Sequence, residues 1–150
     1  MPDGVVTAKT ETVARHLRLT CEGATRVVAA GMEKAAQMGK PQCIAVVDDG
    51  GNLLAFSRMD GAKILSIESA IRKATTAASS RGPTGGIQGE LEFRLAHATS
   101  GRLVNLKGGL PIIVEGITIG GIGVGSQTGE EDLEVAKSAL RVIETAQQFD

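Results

Sequence analysis

The run QCIAVVDDGGNLLAFSRMDG, residues 42–61, constrains the fold more than any other stretch. Two strand-like segments flank Asp49-Gly50-Gly51, where glycine tolerates the backbone angles of a tight hairpin turn. The pattern predicts strands over 42–48 and 52–58. The first is apolar on both faces, so it belongs at the centre of a sheet covered on both sides.

Helical patterns surround this hairpin. Thr20 stands as an N-cap before Ala24, Val27, Val28, Gly31, Ala35 and Met38, which recur at helical spacing until Gly39 and Pro41 stop them. A second helix is predicted over 62–80, with Ile64, Ile67, Ile71, Ala74 and Ala78 as its apolar stripe. A shorter one over 87–98 carries Leu91, Leu95 and His97. Thr128 caps a last helix of about 129–148, whose first turn holds Glu130, Glu131 and Asp132, as the macrodipole favours. Between these lie a loop at 81–86, a candidate strand at 102–106, and a second hairpin formed by 112–114 and 117–124. Gly120, Gly121, Gly123 and Gly125 crowd its second strand, and glycine there marks close approach of another backbone or a ligand. Residues 1–18 are polar and irregular, with 11–19 a short helix or an arm. Hairpins separated by helices imply a single α/β domain with a largely antiparallel sheet.

Composition removes whole classes of function. The 150 residues carry 16 Lys plus Arg against 17 Asp plus Glu, so no electrostatic footprint for nucleic acid or an acidic membrane exists. Three Phe with neither Tyr nor Trp leave little for base stacking. No apolar run approaches the roughly 20 residues of a membrane span, and the N-terminal stretch lacks the apolar core of a secretory signal. The expectation is a cytoplasmic protein with Cys21 and Cys43 as reduced thiols.

Several residues offer chemistry, each beside a plainer role. Ser66, Ser69, Lys73, Thr76 and Ser80 share one face of the second helix, which sets a single lysine among small hydroxyls. Such a lysine binds a carboxylate or acts as a base when desolvated; otherwise it is a solvated surface lysine. His16 and His97 are the two histidines, either metal or haem ligands or ordinary surface residues. Met59 is a soft ligand, a pocket wall or a gap filler, and Asp60 an acid or a turn residue. Gly108-Gly109-Leu110-Pro111 is an anion-accepting nest of amides or a bend that aligns the next strand. GGIGVGSQTGEED lacks the phosphate-loop lysine, and its three carboxylates would repel a phosphate. No metal motif is present, and no metal site is expected.

Taken in order, four segments resemble the GlcG/HbpS-like family of haem-degrading or haem-binding domains, which includes the C-terminal domain of PduO-type proteins. They are IAVVDDGGNLLAFSRMDGA, SIESAIRKATTAA, GGLPIIVEG and GGIGVGSQTGEEDLEVAKSAL, and the likeness runs from Leu19 to the last helix. Arg58-Met59-Asp60 and Lys73 match family positions. Gly125-Ser126-Gln127 departs from the family's Ser-Gly-Gly at the lip of the expected pocket. The resemblance implies a profilin-like domain over 19–150, a five-stranded antiparallel sheet flanked by helices, and a homo-oligomer. It also implies haem or a corrinoid as ligand, with no other cofactor.

Two functional expectations follow. One is a small-molecule-binding protein for an anionic ligand, haem by resemblance, with Met59, Lys73, His97 and the 108–112 stretch (Gly108, Gly109, Leu110, Pro111, Ile112) around it. The other is a metal-independent catabolic enzyme, a deaminase, hydrolase or tautomerase, acting on a small unsaturated amino or keto acid. There Lys73 holds the substrate, Glu68 or Asp60 moves protons, and the 108–112 amides accept a carboxylate or developing oxyanion.

Overall fold

A computed structural model describes residues 12–150. Its elements are α1 (Cys21–Met38), β1 (Cys43–Asp48), β2 (Leu53–Arg58), α2 (Ser66–Ser80), α3 (Leu91–Ala98), β3 (Gly109–Val114), β4 (Ile117–Gly125) and α4 (Gly129–Leu140). The expectation for residues 1–11 lies outside the described residues, and 12–19 form no helix.

The strands make one antiparallel sheet in the order β2-β1-β4-β3. The sheet has four strands, not five. Residues 102–106 stay a loop because their backbone is drawn toward α2: the Val104 amide donates to Thr76 Oγ1, and that hydroxyl donates to the Arg102 carbonyl. β1 is central and buried on both faces, as its unbroken apolar run requires. Ile44 and Val46 enter a core beneath α1 and α4, while Cys43, Ala45 and Val47 pack under α2.

The ends of the helices differ from the periodicity. α2 begins at Ser66 rather than 62, leaving Ile64 exposed. α4 ends at Leu140 and passes into turns, where Ala146 bridges Val114 at the edge of the sheet. α3 buries none of its residues.

Two of the strand glycines, Gly121 and Gly123, are explained by the backbone of α2. A Cβ on Gly121 would stand 2.3 Å from the Ala74 carbonyl oxygen, and one on Gly123 1.9 Å from that of Ala70. α2 therefore lies directly on the main chain of β4. This contact fixes which α2 face turns inward. Ser66, Lys73 and Thr76 are buried, so the hydroxyl-and-lysine line faces the protein from Ser66 to Thr76, while Ser80 at its end is exposed.

Candidate functional site

Where α2, the end of β4 and the start of α4 converge, two charged side chains are buried together. The Lys73 ammonium donates to Asp132 Oδ2 at 2.8 Å and to the Val124 carbonyl at 2.8 Å. Lys73 is 4% exposed and Asp132 2%. The other carboxylate oxygen, Oδ1, accepts the Gln127 amide at 3.1 Å. Both charges are thus matched and hydrogen-bonded, the condition under which burying them is tolerable.

Asp132 reaches this place through the helix it begins. Thr128 caps α4 in a reciprocal capping box with Glu131. That phase sets Asp132 on the stripe of Val135, Ala136 and Ala139, which are buried. Glu130 and Glu131 point outward. The Lys107 hydrogen bond is the main reason the Glu130 carboxyl lies below its ordinary value. For Glu131 the main cause is the Thr128 hydroxyl, followed by Lys40.

The pair forms the floor of a cleft of about 220 Å³. Ser66 and Ser69 line it from α2, Ser126 and Gln127 from the β4–α4 connection, and Lys63 and Lys107 from two loops. Ser126 has φ of 116°, unusual for a residue with a side chain, and its hydroxyl accepts the Lys63 amide at 2.9 Å. Such a conformation is strained and persists only where its surroundings hold it. Lys107 is tied across the rim to Glu130. Gly108 lies against the amine, for a Cβ there would be 3.1 Å from Lys73 Nζ.

The other residues singled out in the sequence are dispersed. Gly109 already belongs to β3; its amide donates to Thr84 Oγ1 and its carbonyl accepts from the Thr84 amide. Leu110, Pro111 and Ile112 continue the strand and are buried. The 108–112 stretch is therefore sheet rather than an open nest, because pairing with β4 occupies its backbone. Met59 is half-buried, and its Sδ accepts from the Gln42 backbone N–H at 3.5 Å. Asp60 is exposed and does not line the cleft. Glu68 is exposed and held by Arg72 at 2.5 Å, turned away from Lys73 by helical phase. His97 is exposed on α3, also away from the cleft. Cys43 is buried in β1, and desolvation pushes its thiol up. Among the described residues, no group of three or more His, Cys, Asp or Glu side chains comes together as a metal site.

Across α2 from this cleft runs a shallow trough. Two depressions of about 250 and 390 Å³ share Gly51, Thr75 and Arg102. Ile67 and Ile71 provide an apolar floor, and Arg102 lines it beside the Arg72–Glu68 ion pair. Asp49, at one end, holds His16 Nε2 at 2.9 Å.

A family model described as "Haem degrading protein HbpS-like" matches residues 19–141. The chain belongs to the HbpS-like family. The resemblance read from its motifs is this one. The chain is 40% identical to Protein GlcG of Escherichia coli (strain K12) over 107 residues, which is 71% of this chain and 80% of GlcG. Its fold is similar to that of Klebsiella pneumoniae protein ORFY, with a TM-score of 0.84 at 28% identity, covering 92% of this chain and 99% of that one. It is also similar to PduOC in a haem complex, with a TM-score of 0.77 at 25% identity over 89% of this chain and 100% of that one. The HbpS-like chain thus shares an α/β domain with an antiparallel sheet with these relatives. Among its described residues, no helix is long and apolar enough to cross a membrane.

Proposed function

We propose that this HbpS-like chain is a small-molecule-binding protein whose cleft at Lys73 and Asp132 takes a small organic anion. One observation carries the reading: a buried lysine, ion-paired to Asp132, forms the floor of a cleft whose rim bears Lys63 and Lys107. The ammonium has three N–H donors, and two are committed to Val124 and Asp132. The third is left for a ligand oxygen, with the Ser66, Ser69 and Ser126 hydroxyls beside it. At about 220 Å³ the cleft falls below the 300–1,000 Å³ typical of drug-sized ligands. A short carboxylic acid matches that volume. In the enzymatic version of this reading, Asp132 takes the proton-carrying role expected of Glu68 and Asp60, which lie outside the cleft.

Haem is the second reading, and the trough across α2 supports it rather than the cleft. The two depressions together suit a flat ligand, with Ile67 and Ile71 beneath a ring and Arg102 for a carboxylate, Arg72 being held by Glu68. His16 stands at the Asp49 end as the nitrogen donor for iron. Bound there, haem would supply a redox-active iron. Relatives named for haem point the same way. Exposed Ile64, Leu65, Leu91 and Phe93 support a homo-oligomer, and the reading places the protein in the cytoplasm.

Calorimetric titration with short mono- and dicarboxylates tests the first reading, with Lys73→Met as control. Saturable binding that the substitution abolishes is expected; binding unchanged in the variant overturns the assignment. Haemin titration followed at the Soret band tests the second. A stoichiometric shift lost in His16→Ala is expected; weak, non-saturable uptake overturns it.

A further inference from the structure

Holding an anion requires only a positive charge within reach, and Lys63 at the rim already supplies it, Lys107 being paired with Glu130. Lys73 differs from both. It is buried, and its amine lies beside a carboxylate that has no access to other cations: Asp132 Oδ2 faces Lys73 and Oδ1 faces the Gln127 amide. A lysine amine attacks a carbonyl carbon once a neighbouring base has taken its proton. The neighbouring acid must then be able to take and return a proton. Asp132, at 2.8 Å, can do both. The amine also borders the cleft, which Lys73 lines together with Asp132, Ser66, Ser69 and Ser126.

We infer that Lys73 forms an imine with the carbonyl carbon of a small 2-keto acid bound in the cleft. The inference rests on the anion-binding reading and adds a covalent step to it. Asp132 takes one proton from the Lys73 ammonium. The free amine attacks the carbonyl carbon, forming the C–N bond while the π pair moves to oxygen, and Asp132 returns the proton to that oxygen. Asp132 then removes a proton from the new secondary ammonium and delivers it to the hydroxyl, which departs as water. The product is a protonated imine beside an Asp132 carboxylate. One water is released, the net charge is unchanged, and no oxidant, reductant or metal takes part. The substrate carboxylate is held by Lys63, which makes no ion pair among the described residues, and by the Ser66 and Ser126 hydroxyls.

Borohydride trapping tests this. The protein is incubated with pyruvate or 2-oxobutyrate, reduced with sodium borohydride, and analysed by intact and peptide mass spectrometry, with calorimetry on the same samples. The expected result is one adduct per chain, heavier by the acid less one oxygen, mapped to the peptide containing Lys73. Lys73→Arg keeps a cation against Asp132 and should bind without being trapped. Binding without any adduct, or adducts spread over exposed lysines, overturns the imine and leaves anion binding standing. Absence of both binding and adduct overturns both. Because the adduct is mapped in the unsubstituted protein, the test holds even if Lys73→Arg does not fold.

Discussion

The Lys73 ammonium and the Asp132 carboxylate lie 59 positions apart in sequence and meet at 2.8 Å with almost no exposure to solvent. They join α2 to the start of α4, and the Val124 carbonyl adds the end of β4 to the same node. Removing one partner strands the other charge. Lys73→Met should therefore destabilise the protein by about 3–5 kcal/mol, read from urea unfolding followed by far-ultraviolet circular dichroism. The double variant Lys73→Met/Asp132→Leu should recover most of that loss. A single variant as stable as the parent would mean that the pair contributes nothing to the fold.

The contact between α2 and β4 leaves no room for a methyl group. Gly123→Ala sets a Cβ 1.9 Å from the Ala70 carbonyl oxygen. Its cost should exceed about 3 kcal/mol, the upper end for ordinary overpacking, because backbone rather than a side chain must yield. Thermal melts of Gly123→Ala, compared with an alanine at exposed Thr25, provide the measurement.

Gln42 runs the other way. Its side chain is fully buried, and neither amide atom has a hydrogen-bond partner among the described residues. Gln42→Met keeps the shape and removes the unpaired groups, so stability should rise by about 1–3 kcal/mol. An unchanged or lower urea midpoint would show that the amide is satisfied in solution, for instance by a buried water.

The N-terminus of α4 should make part of the stability depend on pH. The Thr128 hydroxyl and Lys40 hold the Glu131 carboxyl below its ordinary value of 4.5. A carboxyl lowered by folding stabilises the native state fully above its unfolded value, and that contribution fades as pH falls through the folded one. Melting temperatures of the parent protein should thus drop more steeply below about pH 4.5 than those of Glu131→Gln. Parallel curves would remove Glu131 from the cap.

The two thiols should separate cleanly. Cys21 is exposed at the start of α1, whereas Cys43 is buried with its thiol pushed up by desolvation. Titration with a chromogenic disulfide reagent should release one equivalent quickly, the second appearing only with denaturant. Two fast equivalents would contradict the burial of β1.

Much of this architecture is written locally. Both hairpins, the Thr20 and Thr128 caps and the central place of β1 follow from turn chemistry and periodicity over a few neighbouring residues. The one-turn difference at the start of α2 came from Ile64, an apolar residue in helical register that is nonetheless exposed. The cleft was harder to read. Lys73 stood out through its hydroxyl neighbours, but Asp132 looked like one of three acids serving a helix dipole. Its phase with Val135, Ala136 and Ala139 was the available signal: a carboxylate on an apolar stripe needs a buried cation. The 108–112 stretch stayed open between a nest and a strand-aligning bend for a related reason. Paired glycines allow a nest, but they also allow a strand pressed against a helix, and only the tertiary contact with Thr84 and Lys73 separates the two.

The glycines of β4 also govern how the cleft meets its ligand. With α2 seated on bare main chain, the height of Lys73 above the sheet is set by the peptide groups of two elements, which cannot repack as side chains do. The receptor is assembled before the guest arrives. Association of acids that lack a keto group should then proceed in a single kinetic phase at a rate limited by entry past the Lys107–Glu130 rim, and most of the difference among them should appear in how fast they leave.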